Sequence, residues 1–171
     1  MSSWSSQGVI AFLEAGDIWL LPPDGNPAPF FTSPGPEEYP TFSPDGEWLA
    51  YAADGGIYVR PYPGPNAATL ITDDGASPAW SPDGKQIYFS RDGVLLAVDV
   101  TPGDEFQAGR PAPFIDPWSL GTVQVRNYDV FTDGSFVIAV DDEPSRLEKY
   151  GATELTVILN FFEELKRRVG N

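Results

Sequence analysis

The segment Phe42-Ser43-Pro44-Asp45-Gly46 returns as Trp80-Ser81-Pro82-Asp83-Gly84, 38 residues further on. A period near 40 residues fixes the folding unit. Each copy is a supersecondary element that cannot bury its apolar face alone and has to stack on its neighbours. The same interval upstream of Phe42 reaches Trp4, followed by Ser5-Ser6-Gln7-Gly8, a degenerate copy in register. A further copy, Phe131-Thr132-Asp133-Gly134, is displaced by 50 residues, so the third repeat carries an insertion of about a dozen.

The repeated element has the chemistry of a tight turn. Ser, Thr and Asp side chains hydrogen-bond to nearby backbone, Pro presets φ, and Gly takes the left-handed position that closes the hairpin. Asp45, Asp83 and Asp133 thereby have structural work. Each turn is followed by a β-rich run: Val9 to Leu13, Trp48 to Tyr51, Ile87 to Phe89 and Phe136 to Val140. Second turns at Asp54-Gly55 and Asp92-Gly93 lead into further strands. These are Ile18 to Leu21, Ile57 to Tyr62 and Val94 to Val100. More polar strands are expected at Pro29 to Thr32, Ala68 to Thr72 and Pro113 to Asp116.

Four strands per repeat of this length predict the blades of a β-propeller. Strands at this spacing also build sandwiches and barrels, and the register of the repeat favours the propeller. The expected blades are residues 1–33, 38–73, 76–116 and 127–159, the first degenerate and the last partial. The fold class is all-β, an incomplete propeller of about three to four blades. Glu154 to Leu159 reads as a last strand. A short helix is expected over 161–169, with Asn160 as its N-cap and Phe161, Leu165 and Val169 on one face.

The Trp-Ser-Pro-Asp-Gly-Lys element and the apolar strand behind it resemble the TolB-type propeller repeat. The segments from Ile57 to Gly64 and from Val98 through Arg110-Pro111 extend the resemblance. The stretch Thr156 to Lys166 resembles the C-terminus of propellers appended to bacterial eukaryote-like serine/threonine kinases. The resemblance covers essentially the whole chain. It implies a module that binds proteins or ligands on the propeller face, in a family often found outside the cytoplasm. No kinase domain is present in the sequence, so kinase activity is not implied.

Charge and composition narrow the function. The formal net charge is −15, and Arg60 and Lys85 are the only basic residues among the first 90. A nucleic-acid footprint is basic, and so is a surface for anionic membranes; neither partner is expected. Without His or Cys, zinc sites built on those ligands and Ser–His or Cys–His catalysis within one chain are excluded. No signal-peptide core or span of roughly 20 apolar residues is visible, so as written the chain is expected to stay in the cytoplasm.

Rings usually need at least four blades, so self-association into a closed ring is expected, most simply as a homodimer. The inner strand of each blade precedes the Ser-Pro-Asp-Gly turn and lines the central channel. Aligning copies sets Glu38-Tyr39 opposite Ala76-Ser77 and Asn127-Tyr128. Glu38 and Asn127 are oxygen ligands suited to a hard cation; Tyr39, Ser77 and Tyr128 are candidate channel-lining residues. The blander reading makes Glu37 and Glu38 a solvated loop pair. No catalytic motif is present. The leading expectation is a non-catalytic binding or scaffold module with a protein or small-molecule ligand at the channel face. The alternative is a hydrolase of phosphoesters or lactones using Ca, Mn or Zn in the channel. A truncated propeller fragment without a function of its own is the third expectation.

Overall fold

A computed structural model of the chain describes residues 3–31, 33–64, 67–103, 105–114 and 128–138. The chain divides into Met1–Val140 and Asp141–Asn171, and all described residues lie in the first unit. The expected strand at 154–159, the helix at 161–169 and Asn127 fall outside them. Among the described residues the fold is all-β, with strands and no helix.

The first sheet has the order β1 (Ser3–Trp4), β2 (Ile10–Glu14), β3 (Asp17–Leu21) and β4 (Ala28–Pro29). The second repeats it with β5 (Glu37–Phe42), β6 (Trp48–Ala53), β7 (Gly56–Pro61) and β8 (Thr69–Thr72). The third runs β9 (Ala76–Trp80), β10 (Gln86–Arg91) and β11 (Val94–Thr101). Its outer edge is shared between β12 (Gln107–Ala108) and β13 (Ala112–Pro113), which pair with successive parts of the long β11. The last described sheet is the hairpin of β14 (Tyr128–Val130) and β15 (Phe136–Ile138). All pairings are antiparallel, and each first strand lies against the next: β1 by β5, β5 by β9, β9 by β14. That succession of inner strands is the arrangement of an incomplete β-propeller.

Local chemistry explains the hairpins. Ser43 is representative of the repeated turn. Its N–H donates to the Trp48 carbonyl, its carbonyl accepts from Gly46 N–H, and its Oγ accepts from Trp48 N–H at 3.0 Å. Ser5 and Ser81 make the same backbone closures. The second turns, Asp54-Gly55 and Asp92-Gly93, have positive φ at both residues, the type I′ geometry that matches strand twist. Ala15-Gly16 does the same in the first sheet, with Ala in the place of the Asp.

Strand alternation gives each blade two apolar faces. On the face toward the preceding blade, Phe42, Leu49 and Tyr51 of the second sheet join Val9, Ala11, Ile18 and Leu20 of the first in one core. Likewise Trp80, Ile87, Phe89, Leu96 and Val98 of the third sheet close onto Ala50, Ala52, Ile57 and Val59 of the second. The third core joins Ala79, Tyr88 and Leu95 to Tyr128, with Val130 and Phe136 against it. Polar staples cross each junction. Glu37 N–H donates to the Gly16 carbonyl and Gly75 N–H to that of Gly55, both at 2.8 Å. The Trp80 indole Nε1 donates to the Thr41 carbonyl at 3.2 Å.

The fourth turn keeps the 50-residue displacement of its Asp-Gly pair, so Tyr128 stands opposite Pro78 and not opposite Ser77 as the inner-strand alignment expects. Phe131 N–H bonds the Ser135 carbonyl and Gly134 N–H bonds the Phe131 carbonyl. Phe131 therefore stands where Ser43 and Ser81 stand, and Val130 takes the place of Phe42 and Trp80. The shorter turn brings Phe136, not Val137, onto Tyr88, edge-on with ring centroids 4.8 Å apart.

Candidate functional site

The inner strands have two ends, and chemistry was expected at the end where they begin. There β5 and β9 each carry an irregularity in register, after Glu38 and opposite Tyr88–Ser90. Tyr39 and Ser77 sit in these bulges with φ of 55° and 57°, a left-handed conformation that is unusual for side chains of this kind. The bulge brings the candidate residues of three sheets together. Tyr39 and Ser77 share a side-chain hydrogen bond, and the Tyr128 hydroxyl donates to the Ser77 carbonyl. Burial pushes the Tyr39 phenol above its ordinary pKa and the Glu38 charge adds to the rise, while the Ser77 contact opposes it.

Glu38 itself is exposed, and Asn127 lies outside the described residues, so no described contact joins the two candidate ligands. Among the described residues there is no group of three or more His, Cys, Asp or Glu side chains placed to hold a metal.

The buried carboxylate is that of Glu37, 1% exposed, and not a solvated loop group. One oxygen accepts from Ile18 N–H at 3.3 Å and the other from the Ser33 hydroxyl. Glu37 thereby ties the start of β5 to the first blade. Its signal in the sequence is its repeat position. Gly75 occupies the same place one repeat later and makes the same backbone staple.

At the opposite end, where the inner strands run into the repeated turns, lies a cleft of about 480 Å³. It is lined from all four sheets, among others by Trp4, Ser43, Trp80, Asp129, Phe131 and Thr132. The Ser43 and Ser81 hydroxyls that border it are engaged in their own turns. Asp129 is the one ionisable side chain among the described lining residues. The volume and aromatic lining are those of a site for a small molecule or an anchoring side chain. The sequence does carry this feature, because the lining is the repeat element itself. Its turn function masks its second position along the cleft.

No family model matches the chain, and neither does any curated protein. Solved structures do. TolB from Acinetobacter baumannii superposes with a TM-score of 0.62 at 20% identity, covering 80% of this chain and 36% of that one. A putative 6-phosphogluconolactonase from Bacteroides uniformis gives 0.52 at 19% identity over 81% of this chain and 46% of that one. An oligogalacturonate lyase in complex with manganese gives 0.52 at 12%, over 83% and 46% respectively. The chain thus spans less than half the length of these propeller proteins. At such identities the likeness establishes the fold alone: the chain has a TolB-like β-propeller fold.

Proposed function

We propose that the chain is a non-catalytic propeller module that works within a self-assembled ring and binds its ligand in the cleft at the turn end of the inner strands. The cleft's lining carries the reading. Among the described residues it presents aromatic and hydroxyl-bearing side chains from four sheets but a single carboxylate, Asp129. General acid–base chemistry needs positioned titratable groups, and hydrolysis at a metal needs a cluster of ligands. The described lining residues offer neither. The ligand class that suits it is a neutral or cationic peptide with one apolar anchor, because a chain of net charge −15 repels anions. The lactonase and lyase resemblances do not favour catalysis here, since one propeller fold hosts many functions.

Two measurements test the reading. Peptides selected by display against the full chain should lose roughly tenfold or more in affinity on Phe131→Ala, the loss of one aromatic anchor. Selected peptides indifferent to that change would place the site elsewhere. Aryl phosphotriesters and lactones, offered with Ca²⁺, Mn²⁺ or Zn²⁺, should turn over no faster than in buffer. Turnover abolished by a chelator and by Glu38→Gln would replace the binding reading with the hydrolase.

A further inference from the structure

Among the described residues, the first blade carries an apolar face that no other sheet covers. By strand register, Trp4 pairs with Ile10 as Phe42 pairs with Leu49 and Trp80 with Ile87. Phe12 pairs with Trp19 as Phe89 pairs with Leu96, and Ile10 with Leu21 as Ile87 with Val98. Trp4, Ile10, Phe12, Trp19 and Leu21 therefore form the face that the later blades turn toward the blade before them. In those blades this face is core: Phe42 is 7% and Trp80 6% exposed. Trp4 is 72% exposed, and none of its companions belongs to a blade–blade core. Solvation does not explain apolar side chains at every one of these five positions.

The other end of the same chain supplies the complement. Asp129 pairs with Val137 as Thr41 pairs with Ala50, and Thr41–Ala50 is the place on the second blade that receives Trp80. Asp129 is exposed and Val137 is 38% exposed. A face built to meet the back of a blade and an exposed blade back occur among the described residues of one molecule. Among the described residues β1 packs on β5 and β14 on β9, and both surfaces stay exposed in the single chain.

We propose that the occupant of the first blade's open face is the fourth blade of a second copy. Trp4 packs beside Val137 of that copy, and its indole N–H donates to the backbone carbonyl of Asp129, as Trp80 does to Thr41. A two-fold axis along the channel makes both junctions at once and closes the ring. This inference rests on the assembled-ring reading above and adds the interface that the reading lacked.

The chain has no cysteine, so single-thiol variants report contacts without background. The experiment mixes full-length Trp4→Cys with Val137→Cys and applies a short thiol–thiol crosslinker. Both positions are exposed, so neither variant removes a core side chain. The expected result is a crosslinked pair in the mixture, several-fold above either variant alone. Crosslinking of Trp4→Cys to itself in preference to the mixture would overturn the head-to-tail junction in favour of a face-to-face dimer. A wild-type dimer by native mass measurement with no mixed crosslink would overturn this interface and leave the ring reading standing. A wild-type monomer at micromolar concentration would overturn both. As a check on chemistry, Trp4→Arg should dissociate the dimer at least tenfold more readily while the monomer's urea midpoint stays unchanged. A fall in that midpoint with the dimer intact would assign Trp4 to intrachain packing and contradict the proposal.

Discussion

Glu37 holds a carboxylate at the junction of two blades, and the cost of removing it follows from what it leaves behind. Without it the Ile18 N–H loses its acceptor in a buried setting, and a buried unsatisfied donor costs about 1–3 kcal/mol. Glu37→Ala should lower stability by that amount in urea unfolding, whereas Glu38→Ala, at an exposed position, should change it by less than about 0.5 kcal/mol. Composition could not separate these neighbours, because a Glu-Glu pair ahead of a strand looks solvated whichever side chain turns inward. The turn aspartates behave differently. The Asp83 carboxyl lies below the ordinary 3.8 because Ser81 Oγ and then Lys85 N–H donate to it. Asp133 is lowered in the same way by the Ser135 hydroxyl and N–H. A carboxyl depressed on folding stabilises above its unfolded pKa and loses that contribution as the pH falls through the folded value. The urea midpoint should therefore drop between about pH 5 and pH 2, and Asp83→Asn should flatten part of that slope. An unchanged slope would show that the Ser81 and Lys85 contacts do not favour the charged form. These turn roles were legible from residue type and spacing alone.

Strands and hairpins were legible because local signals agree. Aspartate-glycine pairs mark type I′ turns, and alternation of apolar residues marks both faces of a blade. Two elements were not. The turn at Ala15-Gly16 adopts the same geometry without the usual aspartate, so only the strand spacing betrays it. The turn after Val130 closes one residue sooner than those after Phe42 and Trp80, as the turn after Trp4 also does. A single-residue slip exchanges the faces of a strand, and Asp133-Gly134 marks the turn without revealing the residue at which β15 begins. The tightest point between strands is Gly56, where an added Cβ would lie 2.6 Å from the Thr72 carbonyl oxygen. That oxygen belongs to backbone at the pairing of β7 and β8 and cannot rotate away. Gly56→Ala should cost about 1–3 kcal/mol. Gly103→Ala, whose nearest contact would be 3.9 Å away, should be close to neutral. Thermal unfolding of the two variants side by side checks the difference. Equal melting temperatures would mean that β8 moves freely.

At the scale of the whole molecule, charge and apolar surface pull in opposite directions. Two copies each of net charge −15 repel, while the open face of the first blade favours contact. Screening shortens the reach of charge from about 10 Å at 0.1 M salt to about 3 Å at 1 M. Dimerisation should therefore tighten by roughly tenfold over that range, since only the repulsive term is screened. Weakening with salt would point instead to an interface held by ion pairs. The sequence carried the incompleteness of the propeller, because copies of a repeat can be counted. It did not carry the facing of each blade, which needs register. The central claim is that these blades are completed by a second copy, and sedimentation equilibrium of the 18.6 kDa chain at micromolar concentration in moderate salt tests it most directly. The account predicts a single species of two chains that Trp4→Arg reduces to one; a wild-type chain sedimenting as a single copy would contradict it.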